Sequence, residues 1–148
     1  MRAIDTLRKR PVTIEARRTV TEAAELMNRD AVGALVVTEG GATVGLVTDR
    51  DLVVRGMARR MGADARVDAV MTTEVATLPA DADLRDALAV FRNRPVRRVV
   101  LVDGEAPVGV VTVDDLLVDL VGDLADLARP VTGQVLFGHP EPGVPATT

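Results

Sequence analysis

The chain has 148 residues, 47% of them apolar, no cysteine, and a formal net charge of −4. This length suits one domain with a packed core. Without cysteine there is no disulfide framework and no thiol chemistry, and the acidic balance argues against general nucleic-acid binding, which draws on a basic surface.

The start, MRAIDTLRKR, is charged and does not read as a signal peptide. No run approaches 18 apolar residues, so no membrane span is expected, and a soluble, cytoplasmic protein is the expectation. Only Phe91 and Phe137 are aromatic, so the core must be aliphatic. Lys9 is the one lysine among 18 basic residues; the rest are Arg, whose planar donor fork suits phosphate oxygens.

Val12-Thr13-Ile14 reads as a short strand. Thr19 and Glu22 have capping-box spacing, and Val20, Ala23, Ala24 and Met27 make an apolar stripe at helical spacing. GALVVTE (33–39) and VGLVT (44–48) flank Gly40-Gly41 as a hairpin. Gly45 lies inside a strand pattern, where glycine marks a close backbone approach. A second helix is expected from about Asp49, broken by Gly62-Ala63-Asp64.

The same order then returns. Pairing each residue from Val12 to Val54 with the one 64 positions on gives 14 identities in 43 columns without a gap; chance would give roughly three. Ala76-Thr77-Leu78 matches the first strand, Asp83 and Asp86 match the capping box, and Leu84, Ala87, Leu88 and Phe91 match the stripe. RRVVLVD (97–103) and VGVVT (108–112) flank Gly104-Glu105, and a last helix is expected from Val113. The fold class is α/β (α+β): two β-α-β-β-α repeats around a pseudo-two-fold axis. Residues 1–66 hold repeat 1 with its lead-in and linker, 67–128 hold repeat 2, and 129–148 form a Pro/Gly-rich tail. In that tail Val135-Leu136-Phe137 reads as a short docked strand, and the last ten residues read as disordered.

Thr48 and Thr112 each end a strand where a helix begins, and the first amides of a helix offer an anion site. Asp51 and Asp115 follow one turn later; a carboxylate only accepts, so its natural partner is a donor such as a ribose hydroxyl. Thr-x-x-Asp is equally a capping box, worth about 1 kcal/mol, and the two roles can coexist.

The duplicated Gly-h-h-Thr-x-x-Asp (h apolar; 45–51 and 109–115), with the Arg-Arg-h-h-h-h-Asp strand at 97–103 and this element order, resembles the cystathionine-β-synthase (CBS) domain family over about residues 1–120. The resemblance implies a tandem pair, or Bateman module, in a stand-alone CBS-domain protein, with two clefts between the copies. It implies clefts for an adenosine-containing ligand (AMP, ADP, ATP or S-adenosylmethionine), in which Asp holds ribose and Thr lies near phosphate. It also implies pairing of modules into homodimers.

By the same resemblance, Arg97 and Arg98 reach phosphates in the facing cleft, and backbone near Thr13 and Thr77 meets the adenine edge. Since Gly33 and Ala34 stand where Arg97 and Arg98 stand in repeat 2, the Thr48/Asp51 cleft is expected to be the better phosphate site. Without Tyr or Trp, an adenine would lie between aliphatic groups, with Val12, Ile14, Leu46 and Val47, or Leu78, Val110 and Val111, as candidates. Arg50 is either a further phosphate contact or a solvated helix residue, and Asp114-Asp115 reads as a cap plus a surface acid rather than a metal site.

His139 is the only histidine, and neither GxxxxGK[ST] nor GxGxxG occurs. No catalytic activity and no required cofactor are expected. The leading function is a regulatory sensor of an adenosyl ligand that an unidentified partner protein reads. The alternative is an interaction scaffold that binds no ligand and assembles through the apolar stretch Leu116–Leu127. Nucleic-acid binding through Arg8, Arg10, Arg17 and Arg18 is a weaker third reading, against which the scarcity of aromatics speaks.

Overall fold

A computed structural model describes residues 9–136. Repeat 1 holds β1 (Thr13–Glu15), α1 (Val20–Asp30), β2 (Ala34–Glu39), β3 (Ala42–Thr48) and α2, which opens as α-helix at Asp49–Asp51 and continues with π-helical pitch over Leu52–Met57. Repeat 2 holds β4 (Thr77–Pro79), α3 (Leu84–Asn93), β5 (Arg98–Asp103), β6 (Ala106–Thr112) and α4 (Val113–Leu136). Each repeat forms a three-stranded sheet, β1-β2-β3 and β4-β5-β6, with one parallel and one antiparallel pairing. The expected β-α-β-β-α order is present twice.

Local chemistry sets the element ends. Thr19 Oγ1 accepts from Glu22 N at 3.1 Å and starts α1. Asp83 and Asp86 cap α3 reciprocally, at 3.0 and 3.1 Å. Gly40 and Gly41 both take positive φ, 58° and 84°; a two-residue turn with that backbone matches the right-handed twist of the hairpin it joins.

Strand alternation gives each sheet two faces. In repeat 1 the odd positions Leu35, Val37 and Val47 enter a core with Ile14, Ala23, Met27, Val67 and Val70. In repeat 2 the equivalent Val99, Leu101 and Val111 pack with Ala76 and Ala87. The even positions form the other face: Ala34 pairs with Thr48 and Val36 with Leu46, while Arg98 pairs with Thr112 and Val100 with Val110. Cross-strand partners point to the same side of a sheet.

The two copies are tied by exchanged lead-in strands. Lys9, which leads into repeat 1, pairs with β6 of repeat 2: Lys9 N donates to Val110 O at 2.8 Å and Val110 N donates to Lys9 O at 2.9 Å. Thr72, which leads into repeat 2, pairs with β3 of repeat 1: Leu46 N to Thr72 O at 2.9 Å and Thr72 N to Leu46 O at 2.8 Å. Val110 is Leu46 shifted by 64, so the exchange is reciprocal. A further bond joins the hairpins, Thr43 N to Glu105 O at 2.9 Å.

From Asp114 onward the chain forms a second compact unit. Its helix α4 runs to Leu136 with Pro130 inside it, past the boundary at 128 read for repeat 2, and it replaces the expected strand at 135 and 136. Val135 and Leu136 are helical; Phe137 and the last ten residues lie outside the described residues. Proline removes one backbone donor, here the bond toward Asp126, and the helix continues beyond it.

The crossing at β3 explains Gly45. A Cβ there would sit 2.5 Å from Met71 Sδ and 2.9 Å from the Thr72 carbonyl oxygen. The sulfur can move, but the carbonyl belongs to the exchanged strand. Gly45→Ala is therefore expected to destabilise the protein by about 1–3 kcal/mol, as overpacked sites do, read from urea unfolding. An unchanged midpoint would contradict the close crossing.

Candidate functional site

The β3–α2 junction carries the first Thr-x-x-Asp. Thr48 N donates to Asp51 Oδ2 at 3.0 Å and Asp51 N donates to Thr48 Oγ1 at 3.1 Å. Asp49 N donates to Gly33 O at 3.0 Å, and Arg50 N to Asp49 Oδ1 at 2.8 Å. All four amides from 48 to 51 therefore have protein acceptors. The expectation that these amides stand open to a phosphate is corrected: the capping box and the Gly33 carbonyl already occupy them. The other Asp51 oxygen, Oδ1, faces Arg55 Nε at 3.8 Å. Arg55 in turn donates to Met71 O at 3.1 Å, which ties α2 to the inter-repeat linker.

On the repeat 2 side, a cavity of about 250 Å³ opens between the copies. Val12, Ala31, Val32, Leu35 and Val36 line it, with Gly33, Ala34 and Leu46 from the same repeat. Val110, Arg98, Thr112 and Lys9 complete it. Its wall is aliphatic except for two cations and one hydroxyl, and no carboxylate lines it. The Arg98 guanidinium makes no hydrogen bond or ion pair with a described residue, although the residue is half-buried.

Thr112 therefore faces Gly33 and Ala34, as the sequence suggested, but Arg98 lies on the opposite side from the one expected. It lines the cavity of its own cross-strand partner Thr112 instead of serving Thr48. The antiparallel register decides this, because partners in one pair share a face.

The remaining candidates are scattered. Arg97 is exposed, and its carbonyl accepts from Val113 N at 2.9 Å. Thr13 and Thr77 are exposed on the first strand of each sheet; Thr13 opens onto a different hollow with Glu15, Arg18 and Glu25. Arg50 is exposed in the first turn of α2, and Asp114 and Asp115 stand in the first turn of α4. Of the aliphatic candidates, Val12, Leu46 and Val110 line the cavity. Ile14, Val47 and Val111 are buried core, and Leu78 packs against the second core.

Lys9 and Val32 were not singled out from the sequence. Lys9 arrives through the exchanged lead-in, which no local pattern announces. The 64-residue offset, which sets it opposite Thr73 beside the crossing residue Thr72, is the one signal that could have found it.

Two interlocked copies around a shared cleft define a tandem-repeat module of the kind that carries regulatory sites. The chain belongs to the CBS domain family, whose model matches residues 2–57 and 67–122. It is 35% identical over 115 residues to the CBS domain-containing protein YhcV of Bacillus subtilis, covering 78% of this chain and 82% of that one. It is 30% identical over 100 residues to Hypoxic response protein 1 of Mycobacterium tuberculosis, covering 66% and 70%. A crystal structure of Hypoxic Response Protein I with two coordinated zinc ions has a TM-score of 0.68 at 26% identity, covering 78% of this chain and 97% of that one. The zinc belongs to that protein; in this chain, no group of three or more His, Cys, Asp or Glu residues able to hold a metal occurs among the described residues.

Tandem CBS domains are regulatory modules that often bind ligands, and proteins built of CBS domains alone are generally non-catalytic. No helix among the described residues is long and apolar enough to cross a membrane.

The closed junction at Thr48 has a measurable consequence. Thr48→Ala leaves the Asp51 amide without its acceptor and is expected to cost about 1 kcal/mol of stability, the usual worth of such a cap, in chemical denaturation. A loss below a few tenths would show that the box contributes little.

Proposed function

We propose that the chain is a cytoplasmic regulatory module that takes an adenine nucleotide, or a related adenosyl compound, in the cavity between its repeats. One observation carries this reading: the half-buried Arg98 guanidinium, without a partner among the described residues, opens with Lys9 and Thr112 onto an otherwise aliphatic cavity. Removing a charge from water without pairing it is costly, so an anionic ligand group is the natural complement. Arginine also binds phosphate oxygens through two donors at once.

The apolar wall suits a purine held between Val12, Leu46 and Val110 without aromatic stacking. At about 250 Å³ the cavity lies just below the ~300 Å³ at which small-molecule pockets usually begin. A nucleoside body therefore fills it and leaves the phosphate at the Arg98 and Lys9 rim. This charge favours AMP, ADP or ATP over S-adenosylmethionine, whose sulfonium is cationic. A ligand bridging the copies acts on a partner protein only through different affinity for two arrangements of the repeats or of two chains. A second copy of the chain is the proposed partner in assembly. The scaffold reading draws on the closed amides at 48–51, which already have protein acceptors.

Calorimetry with AMP, ADP, ATP, S-adenosylmethionine and NAD tests the assignment. AMP at 100 times its dissociation constant should add about 2.7 kcal/mol of stability. Arg98→Gln should weaken AMP by roughly tenfold to a hundredfold, the worth of a charge-assisted hydrogen bond, while Arg50→Gln should leave it unchanged. No response to any adenosyl compound would favour the scaffold.

A further inference from the structure

Strand β1, the end of β2 and helix α1 border the hollow onto which Thr13 opens. Its volume of about 690 Å³ falls within the ~300–1,000 Å³ of small-molecule pockets. It shares no lining residue with the cavity that Arg98 lines. Ile14 and Leu26 give it apolar surface, and Glu15, Glu22, Glu25, Arg18 and Arg29 give it charge. Both cations already have partners. Arg18 holds Glu22 at 3.1 Å, and Arg29 donates to both oxygens of Asp30, at 3.1 and 3.2 Å. The carboxylates of Glu15 and Glu25 have no hydrogen-bond or ion-pair partner among the described residues.

Thr38 is an independent sign of a ligand. It lines the same hollow and is only 7% exposed. It pairs with Glu15 across the β1–β2 ladder, so the two side chains share a face. Its hydroxyl has no hydrogen-bond partner among the described residues, and a buried hydroxyl left unpaired is costly. Packing does not require it, because the position 64 residues on is Val102, in the same place of the other sheet. The same offset puts Pro79 in place of Glu15 and Ala89 in place of Glu25. The duplicated fold thus stands without these polar groups, and repeat 1 alone brings them together.

We propose that this hollow binds a linear aliphatic diamine or polyamine. Protonated amines carry the charge that Glu15 and Glu25 lack, and each offers several donors. One N–H meets the Thr38 hydroxyl oxygen. The methylene chain lies along Leu26 and Ile14, as a lysine stem lies on apolar surface. A bare divalent ion fits less well, because it needs several oxygen ligands at once and no such group of acidic residues occurs among the described residues. The hollow is thus the electrostatic opposite of the Arg98 cavity. This inference goes beyond the nucleotide reading and does not depend on it.

Titration calorimetry of the full chain with spermidine and putrescine, at fixed ionic strength, tests the assignment. Saturable one-to-one binding of spermidine is expected. Glu15→Gln and Glu25→Gln should each weaken it roughly tenfold, the worth of a charge-assisted hydrogen bond. Thr38→Val, which installs the residue of the other repeat, should weaken it several-fold. Glu74→Gln, which removes an exposed carboxylate outside the hollow, should leave it unchanged. Magnesium chloride at the same ionic strength should not displace the amine. No saturable heat with either amine in the folded chain would overturn the proposal. So would equal losses in Glu74→Gln and Glu25→Gln, which would mark diffuse attraction to an acidic protein, or displacement by magnesium.

Discussion

The exchange of lead-in strands is the constraint on which the rest of the molecule depends. Lys9 completes the sheet of repeat 2, and Thr72 completes that of repeat 1. Neither copy closes its own sheet edge, so neither is finished alone. The four backbone bonds at these crossings hold the even faces of the two sheets toward each other. Those faces carry Leu46, Val110, Arg98 and Thr112, and the cavity is the space left between them. A position such as Gly45 answers to this crossing rather than to its own strand, because a side chain there would strike the Thr72 carbonyl.

Within that frame, small differences between the copies divide the work. Residue 33 is Gly where repeat 2 has Arg97, and a Cβ at Gly33 would come within 3.2 Å of Asp49 Oδ2. Asp49 in turn holds the Arg50 amide, so the first junction is closed by its own side chains. In repeat 2 the position equivalent to Asp49 is Val113, and the position equivalent to Ala34 is Arg98. The Thr48 junction is a closed cap, and the cation at position 98 faces the cleft. Duplication supplies the shape, and divergence at these few positions gives the two sides unequal chemistry.

Much of this was readable from the amino-acid order. The period of 64, the hairpins at Gly40-Gly41 and Gly104, and the caps at Thr19 and Asp83 are local signals, and each is where the pattern placed it. The side on which Arg98 acts was not readable, because it depends on the pairing register of β5 with β6, and a one-residue difference moves a side chain to the other face. The openness of the helix-start amides was not readable either. Thr-x-x-Asp specifies a capping box and a ligand site equally, and the distances at Thr48 and Asp51 show the capping box formed. The π-helical pitch of Leu52–Met57 and the continuation of α4 past Pro130 are departures from local propensity that periodicity does not encode.

On the reading proposed above, the cavity on the Thr112 side receives the phosphate-bearing ligand. Titration of the isotope-labelled protein with AMP, followed by amide chemical shifts, tests it most directly. The predicted result is saturable change centred on Lys9, Gly33, Ala34, Arg98 and Val110, with little at Thr13, Arg18 or Glu25. Changes confined to the Glu15–Arg18–Glu25 hollow, or none in a folded protein at saturating AMP, would contradict it.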